Sequence, residues 1–231
     1  MDNIDCILDI PNAEEKYKTA YDTTGNTYVA FTLTKKAHLK YKYPQDVGTW
    51  YIPTKLYTYP KMLEIIKKFY PNRTFESGLD IGCGTTSFFE MFTDIKNTLL
   101  IDISTPICQY MKSKNFAVME MNVEQMSFDN KSFDLIICSD VLEHVLSFDA
   151  AISQIERVLT DDGVLCINVP WEQNVSRLRL SAFSHLRRFS RHNVFTRFSN
   201  FTILEQQLIV DGDKYGWIRC MNILLKKKQK G

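Results

Sequence analysis

Between Gly78 and Val169 the chain repeats one pattern: a short apolar run, a polar turn, then a segment whose apolar residues recur at helical spacing. The apolar runs are "GLDI", "TLLIDI", "FAVMEM", "DLIICS" and "GVLCINV", and the pattern predicts helices from Thr86, from Pro106 and over "DAAISQIERVL". Strands that alternate with helices pair in parallel, because each return to the sheet needs a crossover, and such crossovers are right-handed. "DLIICS" is almost wholly apolar, as a strand covered on both faces must be. Downstream, "TILEQQLIV" and "IRCMNILLK" flank the turn-like "DGDKYGW", which predicts an antiparallel hairpin ending the sheet.

Ahead of this pattern, Met62, Ile65, Ile66 and Phe69 recur at helical spacing within Leu56 to Tyr70, and Pro71 stops the run. Residues 1–55 are rich in Tyr, Lys and Thr, with "YVAFTLTK" at 28–35 as their strand-like piece. The expected organisation is an N-terminal cap or lid over 1–55 and one domain of catalytic size over 56–231, with a substrate-loop insertion at 171–192. Lys and Arg number 28 against 27 Asp and Glu, so no broad field points toward nucleic acid or an anionic membrane, and neither is an expected partner. The run "KKKQK" at Lys226 to Lys230 reads as a solvated terminus. Six cysteines are scattered without a C-x-x-C pair or a Cys/His cluster, which predicts reduced, mostly buried thiols and no metal site. The N-terminus lacks a basic region followed by an apolar one, and no apolar run is long enough to span a bilayer, so the expected location is cytoplasmic.

The stretch "SGLDIGCGTTSFFEMF" carries two glycines at the carboxyl end of the first predicted strand of the sheet. In a doubly wound sheet ligands sit beyond that edge, where strand order reverses, and glycine admits both a sharp turn and a close approach. A dinucleotide site would need G-x-G-x-x-G with a helix start against a pyrophosphate, but Ser87 stands at the third glycine position. A tight turn without a ligand is the plainer alternative. Asp80 lies two residues before Gly82, and Asp102 ends the next apolar run, where a carboxylate can accept from both hydroxyls of a ribose or, alternatively, cap a helix.

Taken in order, "LDIGCGT", "LLIDIS", "NVEQMSFDNKSFDLIICSDVLEHV" and "DGVLCINVP" resemble the class I S-adenosylmethionine-dependent methyltransferases over roughly Leu56 to Leu225. The resemblance implies a three-layer α/β, doubly wound, Rossmann-like sheet of seven strands, mostly parallel with an antiparallel C-terminal hairpin strand. Thr86 departs from the family by replacing its third glycine. S-adenosylmethionine carries an ammonium, a carboxylate, a sulfonium and a ribose but no pyrophosphate, so acids beside a glycine bend suit it. By this likeness Asp80 serves the ammonium end, Gly82, Cys83 and Gly84 make room for the methionyl chain, and Asp102 with Ile103 holds the ribose. Asn122 and Val123 meet the adenine edge, Asn122 being alternatively a turn former. Ser139, Asp140 and Val141 pass the sulfonium and the donor methyl.

Methyl transfer is an in-line displacement from an excellent leaving group, so alignment and exclusion of water dominate, and a base is needed only for a hydroxyl or a protonated amine. His144 in "VLEHV" is a candidate base or part of the cofactor wall. The segment Trp171 to Val194 carries five arginines, and its "H-x-R-R-F-S" resembles segments of small-molecule methyltransferases. His185 is the second candidate base, while Trp171, Arg187 and Arg188 are candidates for binding an acceptor that bears a carboxylate or phosphate. Alternatively these arginines solvate a lid helix. The function expected is methyl transfer to a small-molecule metabolite, at oxygen, by a monomer or homodimer. The alternatives are an N-methyltransferase acting on an amine or protein, a non-catalytic cofactor-binding or interaction protein on the same fold, and a dinucleotide oxidoreductase.

Overall fold

The structure is a computed structural model and describes residues 15, 18–23, 51–171, 189–210 and 219–228. Helix α1 (Tyr51–Phe69) leads into β1 (Phe75–Ile81), followed by β2 (Ile95–Asp102), α2 (Thr105–Ser113) and β3 (Val118–Glu120). The second half runs β4 (Phe133–Ser139), α3 (Phe148–Val158), β5 (Leu159–Pro170), α4 (Arg191–Arg197), β6 (Phe201–Val210) and β7 (Arg219–Lys227). The seven strands form one sheet in the order β3-β2-β1-β4-β5-β7-β6. Strands β1 to β5 pair in parallel. β7 is antiparallel to both β5 and β6, which is the expected C-terminal hairpin. Strand order therefore reverses between β1 and β4, and the crevice rule for doubly wound sheets puts a ligand there.

The pleat sorts the core into two layers. Leu79, Ile81, Ile136, Cys138, Leu165 and Ile167 pack with Ile152 and Ile155 of α3 and Val194 of α4. Leu100, Leu135, Ile137, Val164 and Leu224 face the opposite way, against Tyr59, Met62 and Ile66 of α1 and Ile107 and Met111 of α2. The result is the three-layer α/β architecture that the alternation implied.

The crossover from β1 to β2 departs from expectation. In place of a helix from Thr86 there is a single 3-10 turn at Phe88–Glu90. Two causes act together. The carboxylate of Asp80, from inside β1, accepts from Ser87 Oγ at 2.6 Å and from the Phe88 N–H at 3.0 Å, which draws the turn inward. Phe88, Phe89 and Phe92 are all buried, and Phe88 meets Tyr59 of α1 edge-on with centroids 5.6 Å apart. With β2 beginning at Ile95, few residues remain for a helix to propagate.

Smaller differences also have local causes. The carboxyl-terminal run is not wholly a loose tail: Lys226 and Lys227 belong to β7, and Lys227 Nζ donates to the carbonyls of Glu156 and Leu159 at 2.9 and 3.2 Å. Cys83, Cys108, Cys138, Cys166 and Cys220 are free and buried, as the scattered spacing predicted. The expected strand at 28–35 lies outside the described residues. Among the described residues no helix is long and apolar enough to cross a membrane.

Candidate functional site

β1 ends at Ile81, and Gly82 and Gly84 both take positive φ, +65° and +57°, where a side chain would be strained. A Cβ on Gly82 would also overlap Cγ2 of Val141, which leaves β4 on the other side of the strand reversal. The bend and the post-β4 loop therefore meet with no room for anything larger than hydrogen between them. The N–H groups of Gly82 and Cys83 donate to the Ile101 carbonyl at 2.8 and 3.2 Å, which fastens the bend to β2. At the tip of β2, Asp102 accepts from the Gly84 N–H at 3.0 Å and from the Ser104 N–H at 2.9 Å. One carboxylate thus holds both loops that border the crevice, with Ile103 half-buried beside it.

Asp80 and Asp102 are buried carboxyls, and burial pushes both up from the ordinary carboxylate value. For Asp80 the opposing influences are the Lys55 charge and the bonds from Ser87 and Phe88; for Asp102 they are the backbone N–H groups of Ser104 and Gly84, then Lys55. Asp80 Oδ1 is buried and has no hydrogen-bond partner. An orphaned buried acceptor costs free energy unless a donor arrives, so this oxygen is suited to an incoming ammonium.

α1 supplies two side chains to the bend that the sequence did not single out. Lys55 is fully buried, and its Nζ donates to the carbonyls of Gly82 and Cys83 at 2.9 and 3.0 Å. Tyr59 donates its hydroxyl to the carbonyl of Thr86 at 3.2 Å. Lys55, Tyr59, Met62 and Ile66 share one helical stripe, so the available signal was a lysine standing on an apolar face.

Across the reversal, Ser139 Oγ lies 3.1 Å from Asp140 Oδ2, and the Asp140 N–H donates to the Asn168 carbonyl at 3.0 Å. Asp140 itself takes φ +55°, an uncommon conformation for a residue with a side chain. The His144 N–H donates to the Val141 carbonyl at 2.9 Å, and His144 Nε2 stands 3.7 Å from Oε1 of the buried Glu143. Asn122 caps the 3-10 turn at Val123–Gln125, its Oδ1 accepting from the Glu124 N–H at 2.9 Å, as its turn-forming reading predicted. Glu124, unremarked in the sequence, accepts from the N–H groups of Leu146 and Ser147 at 2.8 and 2.9 Å and so ties the loop after β3 to the loop after His144.

The helical residues 18–23 bridge the same edge. Asp22 accepts from the Thr105 N–H at 2.8 Å, supplying α2 with a cap from outside the helix, and Lys18 donates to Thr105 Oγ1 at 2.8 Å. Tyr21 meets the His144 ring edge-on with centroids 6.0 Å apart. Trp171 bridges to Phe189, which draws together the two ends of the segment between them. His185, Arg187 and Arg188 lie outside the described residues.

A family profile described as a methyltransferase domain matches residues 79–167, the span from β1 through β5 that builds this edge. An uncharacterized protein of Methanocaldococcus jannaschii is 34% identical over 105 residues, covering 46% of this chain and 45% of that one. The chain spans about half the length of the curated relatives it matches. The N-methyltransferase NodS of Bradyrhizobium japonicum, solved with S-adenosylhomocysteine, has a similar fold at TM-score 0.62 and 16% identity, over 88% of this chain and all, 100%, of that one. A 1,6-didemethyltoxoflavin-N1-methyltransferase of Burkholderia thailandensis reaches TM-score 0.63 at 16% identity, over 96% and 94% of the two chains. Residues 79–167 thus match a methyltransferase domain, and the strand order and the acid-flanked glycine bend are similar to those of class I S-adenosylmethionine-dependent methyltransferases.

Proposed function

We propose that this protein transfers a methyl group from S-adenosylmethionine to a small-molecule acceptor, at an oxygen atom. The observation that carries the cofactor half of the reading is Asp80 Oδ1, a buried acceptor without a donor at the glycine bend, one strand from Asp102. The ammonium of the cofactor answers the first, and the ribose hydroxyls answer Asp102, whose oxygens retain lone pairs beyond the backbone N–H bonds they already accept. Gly84, without a side chain, leaves room for the methionyl chain beside Gly82 and Cys83, Ile103 and Val123 flank the adenosine, and Ser139, Asp140 and Val141 line the sulfur. When bound, the cofactor supplies an electrophilic methyl and a neutral thioether leaving group.

The acceptor half rests on His144. Its Nε2 stands 3.7 Å from Oε1 of the buried Glu143, near enough for that carboxylate to favour the imidazolium formed when the ring takes a proton from an acceptor hydroxyl. Residues 1–55 serve as the lid, since 18–23 already bridge α2 and His144, and the segment 171–192 brings Trp171, His185, Arg187 and Arg188 to an anionic group on the acceptor. A nitrogen acceptor is the second reading, supported by the two structural neighbours that are named N-methyltransferases.

Two variants test the halves separately. Asp102→Ala is expected to weaken S-adenosylhomocysteine binding by about 1 to 3 kcal/mol in calorimetry, through loss of charge-assisted bonds; unchanged affinity removes Asp102 from the cofactor site. His144→Gln is expected to lower turnover of a hydroxyl acceptor by about 10²-fold or more with cofactor affinity intact. Turnover that survives that change, with an amine as the substrate found in a metabolite panel, selects the nitrogen reading.

A further inference from the structure

The acceptors at the glycine bend already hold an ammonium, and it belongs to the protein. Lys55 Nζ lies 2.9 Å from the Gly82 carbonyl and 3.0 Å from the Cys83 carbonyl, fully buried, and near enough to Asp80 and Asp102 for its charge to act on both. We propose that Lys55 is an internal occupant of the berth for the cofactor's ammonium, so that the cofactor binds by displacing Lys55 from the carbonyls of Gly82 and Cys83. The proposal deepens the cofactor reading above and rests on it.

Two features of the site lead there. The bend offers an acceptor set shaped for one cationic donor: two adjacent carbonyls on the backbone and the orphaned Oδ1 of Asp80. Two ammonium groups sharing that set would stand within hydrogen-bonding reach of one another in a buried place, where like charges repel strongly. Lys55 also sits near the start of α1, at the end of the segment 1–55 expected to form the lid, so its withdrawal can be accommodated by rotation of a long side chain or by movement of the first turns of one helix. Lys55 thereby sets the affinity of the site: the apparent affinity of a ligand is reduced by the fraction of molecules in which a competitor fills its place. The same displacement releases the outset of α1 when the cofactor arrives, coupling cofactor binding to the cap.

The test compares the native protein with Lys55→Met, which keeps an apolar stem and removes the charge. Calorimetric titration uses S-adenosylhomocysteine, which has the ammonium, and 5′-methylthioadenosine, which has the same adenosine and sulfur without the amino-acid group. The expected result is roughly tenfold tighter binding of S-adenosylhomocysteine to Lys55→Met, with methylthioadenosine affinity unchanged. Weaker binding of S-adenosylhomocysteine to the variant would mean that Lys55 stays and pairs with the ligand's carboxylate, and the proposal would be overturned; equal binding overturns it as well. A parallel gain for both ligands also overturns it, since the ammonium would then not be the competing group. If neither the native protein nor the variant binds either ligand, the cofactor reading itself fails and takes this inference with it. Should Lys55→Met fold poorly, amine-reactive labelling of the native protein read by mass spectrometry decides: Lys55 is expected to be protected alone and labelled with saturating S-adenosylhomocysteine, and protection in both states refutes displacement.

Discussion

The crossovers from β1 to β2 and from β4 to β5 start alike in sequence and end as different objects. The second contains α3, an eleven-residue helix (11 residues) that opens on Ser147, whose Oγ accepts from the Ala150 N–H, and buries Ala151, Ile152, Ile155 and Val158 on one stripe. The first contains one 3-10 turn of 3 residues, although Ser87 and Glu90 there form a capping box as good as any helix start. What separates them is the strand each leaves. The acid of β4, Asp134, lies at the start of the strand and accepts from the N–H groups of Glu76 and Ser77, away from the following loop, whereas β1 carries Asp80 next to its end, which takes the N–H of Phe88 and the hydroxyl of Ser87 for itself. A helix directs its carbonyls along its own axis. The irregular bend instead leaves the carbonyls of Gly82 and Cys83 to be met by a cation from elsewhere, and the cofactor contacts proposed above fall on the crossover that did not become a helix.

The largest expected effect breaks the aromatic packing that stands in for helical packing. Phe88→Ala removes a fully buried ring in contact with Tyr59, Phe89 and Phe92 and is expected to destabilise by about 3 to 5 kcal/mol in urea denaturation. Ile155→Ala, on α3, is expected to cost about 2 to 5 kcal/mol by the same route. The contrast lies in the second readout: S-adenosylhomocysteine affinity, measured where both variants remain folded, should fall for Phe88→Ala alone. Loss of affinity in both would erase the distinction between the crossovers.

Gly82→Ala comes next. The positive φ costs roughly 1 to 2 kcal/mol for a residue with a Cβ, and the overlap with Val141 adds to it. Pairing it with Val141→Ala relieves the overlap but not the dihedral, so the double variant should be less destabilised than the sum of the single ones. Strict additivity would show that the bend and the post-β4 loop are not in contact.

The acids give a smaller effect with a definite sign. Asp80 and Asp102 both have folded-state values raised by burial, so the folded protein holds their protons more tightly than the unfolded chain. Their contribution to stability is complete below the unfolded value, near 3.8, and is lost as pH rises through the folded values. Stability relative to an Asp80→Asn, Asp102→Asn double variant should therefore decline from acid toward neutral pH, while affinity for the cationic cofactor rises over the same range as the carboxylates ionise. A flat difference curve would mean that the two acids are not buried in solution.

These residues also mark what the sequence could and could not disclose. The strands were readable because parallel strands covered on both faces leave continuous apolar runs, as Leu135 to Cys138 do. The acids were readable because their places at strand ends follow from the strands. The helix from Thr86 was misread because Phe88 and Phe92 stand four apart and imitate helical spacing, while the deciding influence, a carboxylate inside β1, works through a bond to a backbone eight residues away. The role of Lys55 was illegible for a similar reason: its place on an apolar face could be read, but its partners are main-chain carbonyls 27 and 28 residues distant, and no side-chain pattern reports which carbonyl will lack a donor. Asn122 was ambiguous between two roles, and its capping bond decides only that the turn uses it, not what else its amide meets.

The smallest effect separates cap from charge in the aborted helix. Glu90 Oε1 accepts from the Ser87 N–H at 3.1 Å and pairs with Lys114 Nζ at 2.7 Å, with side chains 33% and 31% exposed. Glu90→Gln keeps an acceptor for Ser87 and loses only a partly screened ion pair, so the expected cost is below about 0.5 kcal/mol. Glu90→Ala loses both and should cost about 0.5 to 1.5 kcal/mol, similar to Ser147→Ala at the start of α3. Both crossovers would then draw equally on their caps, leaving Asp80 as the reason that one cap is followed by a helix and the other by a bend. If Glu90→Gln proved as costly as Glu90→Ala, the turn would be held by the tie to α2, and the capping box in the first crossover would be geometry without energetic weight.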